Sequence, residues 1–450
     1  MHLKVGFSAL AGFVFVSTAG AATPTFNKDV APILYKNCVS CHRPGEVAPF
    51  SLLTYAEAKR WAGPMVAATE RHYMPPWKAE PGFGEFRDAR VLSNDEIATL
   101  KNWSKAGSPE GDLKDRPVPP TITSGWQLGK PDYEFKMPAK YSVAAEGNDI
   151  YECFVIPAAL ADTMNVAALE VRPGNRRVLH HTIVYSDATG AARKRAAEEH
   201  GNSYTCYGGP GIPRAGMVGG WAPGGTPRLL AEGSARIVAK GSDLIIQQHY
   251  HATGKPEEDQ TSIGIYLAKG PITKSVSSIP LLQHDLAIPA GEKHYETKVA
   301  YTTPIDVEVT GVTPHMHLLG REMKVTATLP DGTVTPMIWI RDWDFNWQGQ
   351  YVYRDPILFP KGTRFEVTAV YDNSTANPKN PSNPPKPVSW GEATTDEMCI
   401  AFIQYRTPRP ADHMALVMAL AQQLQLYKYR DLTGQEAPAK PAGPGQGPRR

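Results

Sequence analysis

The sequence predicts a multidomain protein in which a small all-α domain precedes two all-β sandwiches. Apolar residues recur with helical spacing within residues 26–112. From about residue 130 to 430, short β-type runs alternate with turns rich in Gly, Pro, Asn and Asp, which is typical of antiparallel sandwiches. This stretch exceeds one usual sandwich, so we expect two, at residues 130–275 and 276–430, after a Pro-rich linker at 113–129.

The helical region contains four candidate helices, at residues 27–36, 53–61, 64–72 and 93–107. The last has the clearest boundaries. Ser93 is a good N-cap, Glu96 three residues later completes a capping box, and Gly107 marks the stop.

The β region is read from eight runs of β-branched and aromatic residues. They are "YECFVIP", "RRVLHHTIVY", "SDLIIQQHYHATG", "SIGIYLAKG", "DVEVTGVTPHMHLLG", "MKVTATLPDGTVTPMIWI", "TRFEVTAVYDNS" and "CIAFIQY". A final helix is expected at residues 411–431. The Pro- and Gly-rich residues 431–450 are expected to be disordered.

The overall charge is almost balanced. A formal net charge of +2 provides no field for a polyanion, which argues against nucleic acid as a partner. With 42% hydrophobic and 20% charged residues, the composition is that of an ordinary soluble protein.

Residues 1–22 have the features of a secretory signal peptide. A basic start precedes a short apolar run at residues 5–16, and small residues at 19–22 offer a cleavage site. The alternative is a membrane anchor, but the run is too short to span a bilayer comfortably. We therefore expect a periplasmic or secreted protein without a transmembrane segment after cleavage. Its five cysteines would then be exposed to an oxidising compartment.

The stretch Cys38-Val39-Ser40-Cys41-His42 is the C-x-x-C-H signature of covalent haem attachment. Thioether bonds from Cys38 and Cys41 would fix the porphyrin, and His42 would ligate its iron. A redox disulfide is the alternative, but no βαβ pattern surrounds the motif and the histidine follows directly. The motif thus predicts a cytochrome c domain at residues 26–112 with one covalently bound haem c.

The sixth iron ligand is expected on a later loop. Met74, in "RHYMPPW", lies between a helix end and a rigid Pro-Pro turn, and a thioether ligand raises the haem potential and suits electron transfer. Met65, inside a predicted helix, and His72 are the alternatives. The aromatic residues that either pack the haem edge or fill ordinary core are Phe50, Trp61 and Trp77.

A second set of metal-binding candidates lies in the β region. Its segments are His180-His181, "QQHYH" with His249 and His251, "PHMH" with His315 and His317, and "DEMC" with Met398. A single strand histidine is usually packed or on the surface, but six of the 13 histidines fall in three tight clusters. Two of them, His315 and His317, are spaced to share one face of a strand.

These donors favour copper. Imidazoles and a thioether, with no carboxylate at a matching offset, suit copper better than Ca²⁺, Mg²⁺, Mn²⁺ or a facial-triad iron. Zinc also accepts imidazoles, but a neighbouring redox domain is easier to explain beside a redox metal.

In their order, these segments resemble the copper type II, ascorbate-dependent monooxygenases, the group that contains peptidylglycine α-hydroxylating monooxygenase and dopamine β-hydroxylase. That family has an adjacent His-His, a histidine in a Q-x-H-Y context, an H-x-H and a DEMC segment. "DWDFNWQGQY" and "YDNS" also look like family segments, and the resemblance spans roughly residues 130–410.

The resemblance implies two jelly-roll-like sandwiches that each hold one copper ion and face each other across a solvent-filled cleft. The electron-transfer copper would take His180, His181 and His249. The oxygen-binding copper would take His315, His317 and Met398. Gln247 matches a family position near the electron-transfer path. Tyr151 matches a tyrosine near the first copper, although it could equally be a core residue. His251 has no counterpart as a ligand and is treated as structural.

The resemblance also implies a disulfide. Cys153 and Cys206 match positions that are paired in the family, which export makes plausible. Cys399 then has no partner and is expected to be a buried thiol.

The implied reaction is monooxygenation. It consumes O₂, two electrons and two protons, and inserts one oxygen atom into a C–H bond of a small organic substrate. Ascorbate is the donor in the relatives, whereas here an external donor would reduce the fused haem, which would feed the coppers.

Three positions depart from the amidating relatives. Thr313 replaces an arginine, and Ile400 and Phe402 replace an asparagine and a tyrosine. The polar grip on a peptide carboxylate is therefore missing, which argues against peptide amidation and favours a neutral or aromatic substrate.

Two other functions remain open. The chain would look the same if it were a non-catalytic haem c and copper electron-transfer or copper-binding protein. It could also be a reductase of a small oxidised molecule, with the haem as donor.

The doublet His180-His181 carries a structural prediction. Neighbouring strand residues point to opposite faces, so two ligands to one ion require a break in the pleat. We expect a bulge, twist or strand end there, with both rings turned toward His249 and the ion reached through the nitrogen nearer the backbone.

Overall fold

A computed structural model of the chain describes residues 22–407 except 47, 88, 122–124, 159, 213–214, 223–224 and 392, together with 412, 415–416, 418–419 and 422. The predicted signal peptide and tail lie outside the described residues apart from position 22, as does most of the expected helix at 411–431. Within the described part of the chain, no helix has the length and apolar character needed to span a membrane.

The chain forms two compact units. The first comprises the described residues up to Arg43, with Phe50–Pro75 and Leu92–Pro120. The second comprises Pro44–Pro49, Pro76–Val91 and the described residues from Thr121 onward.

The first unit is built from short helices. They are α1 (Ala31–Asn37), α2 (Tyr55–Arg60), α3 (Ala62–Glu70) and α4 (Asn94–Lys105), with a π-helical turn at Phe26–Val30 and a 3₁₀ turn at Leu113–Asp115. Each candidate helix of the sequence is present within a few residues of its expected bounds. The predicted capping box of Ser93 and Glu96 starts α4, because each side chain bonds the other residue's backbone N–H.

The core of the first unit lies between these helices. Phe26, Leu34, Leu100 and Trp103 are fully buried in one apolar cluster. The indole of Trp103 donates a hydrogen bond to the carbonyl of Pro109, so its polar atom is satisfied as well.

The second unit is almost entirely β. In its described residues the elements are β1 (Tyr133–Lys136), β2 (Tyr141–Val143), β3 (Ile150–Ile156), β4 (Met164–Arg172), β5 (Leu179–Asp187), α5 (Ala191–Glu199), β6 (Ser203–Thr205), β7 (Gly216–Trp221), β8 (Ser234–Val238), β9 (Asp243–Tyr250), β10 (Glu257–Asp259), β11 (Ser262–Leu267), β12 (Lys274–Leu282), β13 (Ala287–Ile288), β14 (Tyr295–Thr302), β15 (Val307–His315), β16 (Gly320–Thr328), β17 (Val334–Ile340), β18 (Tyr351–Phe359), β19 (Arg364–Tyr371), β20 (Val388–Ser389) and β21 (Ile400–Arg406).

Three sheets dominate this unit and form two sandwiches. One has eight strands in the order β1-β11-β4-β8-β12-β21-β15-β18, one has five in the order β6-β3-β9-β5-β7, and one has four in the order β14-β19-β16-β17. The five-stranded sheet shares a buried core with β4 and β11, and the four-stranded sheet shares another with β12, β15 and β21. The predicted β-sandwich architecture is therefore confirmed.

The eight-stranded sheet runs through both sandwiches. Strands β8 and β12 pair in parallel through Lys274 with Ser234 and Ser275 with Ala235. The two sandwiches are thus joined by a continuous hydrogen-bonded sheet at the start of β12.

Residues 76–91 pack with the second unit, although the sequence analysis took 26–112 as one domain. Ala79 bridges to Ile340 and Phe86 to Tyr353, and the Trp77 ring lies 5.0 Å from that of Tyr351. Trp77 is therefore partly buried against the core of the β unit, where aromatic side chains of that unit contact its ring.

One helix was missing from the sequence prediction. The α5 sequence "AARKRAAEE" contains no apolar residue larger than alanine, so its buried face, Ala192 and Ala196, leaves no hydrophobic periodicity to detect.

Candidate metal centre

Three predicted ligands meet in the first sandwich. His180 and His181 lie on β5, and His249 lies on the adjacent strand β9. The His181 Nδ1 atom is 3.3 Å from His180 Nδ1 and 3.4 Å from His249 Nδ1. One ligand-capable nitrogen from each ring falls within 4.8 Å of the others, which is close enough for all three to bind one ion.

A bulge in β5 makes this arrangement possible. Leu179 pairs with Tyr250 and His181 pairs with His249, so His180 is an extra residue with no partner on β9. An extra residue in one strand bends the chain and re-aims side chains. The expected break in the pleat is confirmed, and the nitrogens nearer the backbone, the Nδ1 atoms, are those that face one another.

The environment keeps His180 and His181 neutral. Burial, reinforced by the neighbouring His249, lowers the pKa of His180 to about 3. Burial also holds the pKa of His181 well below its ordinary value. Neutral imidazole is the form that binds a metal, and the three rings each bring one ligand nitrogen within 4.8 Å of the others. The donor set therefore fits a cation.

Asp149 is a functional candidate that the sequence analysis missed. Its Oδ2 atom lies 3.1 Å from His249 Nε2, at hydrogen-bond distance although the direction is poorer than that of a linear hydrogen bond. Its Oδ1 atom lies 2.7 Å from Nδ1 of His251, the histidine treated as structural. Nothing in the local sequence marks Asp149, since it precedes its histidine partner by 100 residues.

The second ligand set lies in the second sandwich. The rings of His315 and His317 have centres 5.1 Å apart and are nearly perpendicular. Strand β15 ends at His315, so His317 lies just beyond the strand. The two rings are still neighbours, as their spacing predicted.

Glu397 holds the backbone beside His317 and Met398. One of its carboxylate oxygens accepts hydrogen bonds from the backbone N–H of His317 at 2.9 Å and of Met398 at 3.2 Å. The other accepts from the backbone N–H of Leu319 at 2.6 Å. Burial raises the pKa of Glu397 to about 8 despite these donors. Met398 itself is 6% exposed.

In the second pair of histidines, the nitrogen that faces an oxygen atom is Nδ1 in both rings. His315 Nδ1 lies 2.5 Å from Gln348 Oε1, and His317 Nδ1 lies 3.0 Å from the carbonyl oxygen of Asp396. An Nδ1–H that donates to an oxygen leaves Nε2 as the acceptor, so this site would bind through Nε2. Two imidazoles, with the thioether of Met398 on the segment that the same Glu397 carboxylate holds, are a donor set that a soft metal ion accepts.

The aromatic loop, which we define as residues 342–348, connects the two ligand sets. The Phe345 ring stacks on His180 at 5.3 Å and meets His317 edge-on at 5.8 Å, which places those two imidazoles within about 11 Å of each other. The Trp343 indole donates to the carbonyl of His317 at 3.1 Å. An aromatic side chain therefore occupies this point between the sets, where the resemblance implied solvent.

Other predicted residues surround the first set. Gln247 donates its amide N–H to the carbonyl of Cys206 at 3.3 Å, so this group supports the disulfide region. The Tyr151 ring stacks on that of His249 at 4.2 Å. The expected Cys153–Cys206 disulfide is present, and Cys399 is a free, buried thiol.

The first unit holds the C-x-x-C-H motif. Cys38 and Cys41 are free, partly exposed thiols, and the backbone N–H of His42 donates to the carbonyl of Cys38. His42 Nδ1 lies 3.2 Å from the carbonyl oxygen of Phe50, which leaves Nε2 available as the iron-ligating nitrogen. Because two free thiols precede an imidazole held in this orientation, the motif fits a haem.

Aromatic rings lie beside that histidine. The Phe50 ring is 4.5 Å from His42 and stacks on Trp61 at 4.1 Å. Met74 follows α3, and its backbone N–H donates to the carbonyl of Ala68.

Comparison with known proteins finds a family match in the second sandwich. Residues 275–427 match the family described as copper type II ascorbate-dependent monooxygenase, C-terminal domain. This segment contains His315, His317 and Met398 and covers about a third of the chain. The resemblance to that family is confirmed for this domain. No curated protein matches the chain.

Similar solved structures include the major capsid protein P2 of bacteriophage PM2, which is 9% identical over 61% of this chain and 96% of its own, with a TM-score of 0.25. PNGF-II in its P21 crystal form is 8% identical over 62% of each chain, with a TM-score of 0.22. The VP2 subviral particle of infectious bursal disease virus is 9% identical over 66% of this chain and 90% of its own, with a TM-score of 0.15. These similarities are too low to bear on function.

Proposed function

We propose that this protein is an exported copper monooxygenase that hydroxylates a C–H bond of a small organic substrate with O₂. The observation that carries the proposal is the meeting of His180, His181 and His249 in the same unit as a C-terminal domain of the copper monooxygenase type. Neither feature depends on the other, since the matched segment begins after all three histidines.

Each ligand set has its own role. His180, His181 and His249 would hold a copper ion that supplies one electron, and His315, His317 and Met398 would hold the copper ion that supplies reactivity toward O₂. Burial lowers the pKa of His180 and of His317 and so keeps both imidazoles neutral, and Gln348 and the Asp396 carbonyl hold the His315 and His317 rings. The thioether of Met398 favours the reduced ion, the state that reacts with O₂.

The first unit supplies electrons. Cys38 and Cys41 would hold the haem covalently and His42 and Met74 would ligate its iron, and a bound haem would supply one-electron chemistry between an external donor and the copper sites. The disulfide of the second unit agrees with export to an oxidising compartment.

The substrate is proposed to be neutral. Thr313 is already engaged, because its hydroxyl accepts a hydrogen bond from the Gln404 amide at 3.1 Å and the residue pairs with Phe402 across the sheet. Thr313 and Phe402 therefore present no cationic side chain to a carboxylate, which supports a neutral or aromatic substrate over a peptide terminus.

Metal analysis and one variant test the proposal. Purified protein should contain copper and iron in a ratio of two to one, and Met398→Ala should abolish substrate-dependent O₂ uptake while leaving the haem spectrum intact. Zinc in place of copper, or O₂ uptake unchanged in Met398→Ala, would overturn it. Full copper loading without product from any organic substrate would instead favour the non-catalytic copper-binding function.

A further inference from the structure

We propose that Asp149 is a positioning residue that orients His249 and ties the first metal site to the loop that carries Met398; this inference rests on the proposed function. The residue precedes β3 and its side chain is 15% exposed. Its carboxylate meets three side chains from two separate parts of the chain: His249 and His251 from one, and Thr394 from the other.

The first role concerns the His249 ring. With Asp149 Oδ2 beside Nε2, the proton is held on that nitrogen and Nδ1 remains an acceptor directed at His181. Tyr151 stacks on the same ring with an interplanar angle of 12°, which limits its tilt. The carboxylate therefore selects the tautomer, and the tyrosine selects the plane.

The second role concerns the loop of residues 393–398. The Thr394 hydroxyl donates a hydrogen bond to the same Asp149 oxygen that faces His249. Two residues later, the carbonyl of Asp396 accepts from His317 Nδ1. A ligand of each set is thus connected to the other through one carboxylate and three residues of backbone.

The partners of Asp149 differ in their surroundings. His249 is 2% exposed at its side chain, whereas His251 is 69% exposed. An exposed ion pair contributes little, while a carboxylate behind a buried ligand controls its basicity and orientation. His251 is therefore the natural control, because it shares the carboxylate but lies outside the ligand set.

The experiment measures copper binding by the full-length protein with Cu(II) as the probe. Asp149→Ala should weaken binding at the first site by about 10- to 100-fold in a competition titration and change the Cu(II) hyperfine splitting of that site. Asp149→Asn should show a smaller loss, since it keeps the shape and removes the charge. His251→Gln should stay within about twofold of wild type, the size of an exposed-pair effect.

A second pair of variants tests the tie to the loop. Thr394→Val should leave the first-site spectrum in place but alter the Cu(II) signal of the Met398 site, and Thr394→Ser should restore it. This pair also keeps the proposal testable if Asp149→Ala does not fold.

Different outcomes distinguish a failure of the proposed role of Asp149 from a failure of the proposed function. If wild-type protein binds copper at both sites and Asp149→Ala binds as tightly as wild type, or if His251→Gln loses as much as Asp149→Ala, the role of Asp149 is refuted and the proposed function stands. If wild-type protein binds no copper, the proposed function itself fails.

Discussion

At the scale of single residues, an oxygen atom outside the ligand set lies beside one ring nitrogen of each of three candidate ligands. Asp149 faces Nε2 of His249, whereas Gln348 and the Asp396 carbonyl face Nδ1 of His315 and His317. The first site would therefore bind through Nδ1 and the second through Nε2. These oxygens also hold the rings in place before any metal arrives.

A single ligand substitution should separate the sites. His181→Ala removes the central nitrogen of the first set, the one that lies within 3.4 Å of both others. We expect the copper content to fall from two ions per chain to one, as measured by metal analysis. His294→Ala, at an exposed histidine, should retain both ions. Full copper content in His181→Ala would contradict the assignment.

At the scale of elements, a bulge and a loop build the sites. The extra residue in β5 turns both doublet histidines toward β9, and the aromatic loop supplies Trp343, Phe345 and Gln348 to the ligands. Regular strands provide the rigid support, while irregular segments re-aim the side chains.

A substitution of Phe345 tests whether the aromatic loop restricts the separation of the two sites. Phe345→Leu removes ring contacts with one ligand of each set, which are worth about 0.5 to 1.5 kcal/mol each. We expect both copper ions to remain bound. However, the dipolar broadening of the Cu(II) paramagnetic resonance spectrum should decrease, because the separation of the sites becomes less restricted.

Phe83→Leu is the control for that variant. Its ring contacts Trp339 at 4.8 Å, so its loss should leave the spectrum unchanged. Equal broadening in Phe345→Leu and wild type would mean that the ring does not set the separation.

At the scale of the whole molecule, one sheet makes the two sandwiches of the second unit continuous. A charged cluster supports the join: Glu308 on β15 binds Lys274 on β12 at 2.5 Å and Arg406 on β21, and Arg406 reaches Ser234 on β8 at 3.4 Å. All four residues belong to strands of the eight-stranded sheet. Removing a charge from this cluster should therefore destabilise the junction between the two sandwiches.

The prediction is that Glu308→Gln destabilises the second unit by about 1 to 3 kcal/mol at neutral pH. Partial burial raises the pKa of Glu308, but hydrogen bonds from Lys274 and Arg406 outweigh it and lower the pKa below 4.5. A carboxyl group with a lowered folded-state pKa stabilises the fold above its unfolded pKa, and this contribution disappears as the pH falls through the folded value. The difference between variant and wild type should thus shrink below pH 4.5.

Urea unfolding at pH 7 and at successively lower pH measures this difference. Glu258→Gln is the matched control, since its pair with Lys140 is exposed and should change the free energy of unfolding by less than about 1 kcal/mol. A loss in Glu308→Gln that persists unchanged in acid would show that the charge is not responsible.

The sequence by itself determined the features that depend on near neighbours along the chain. The capping box of Ser93 and Glu96, the haem-attachment motif and the alternating strands are local, because spacing along the backbone sets which groups can meet. The bulge at His180 was also predictable, since two adjacent strand residues cannot face one ion without it.

Only the tertiary structure decided which distant groups support those residues. Asp149 and Thr394 are 245 positions apart and meet because the sandwiches pack. Phe345 touches both ligand sets, and residues 76–91 join the β unit, for the same reason. Such contacts leave no periodic trace in the sequence, because sheet register and loop packing, rather than local backbone preference, bring the partners together.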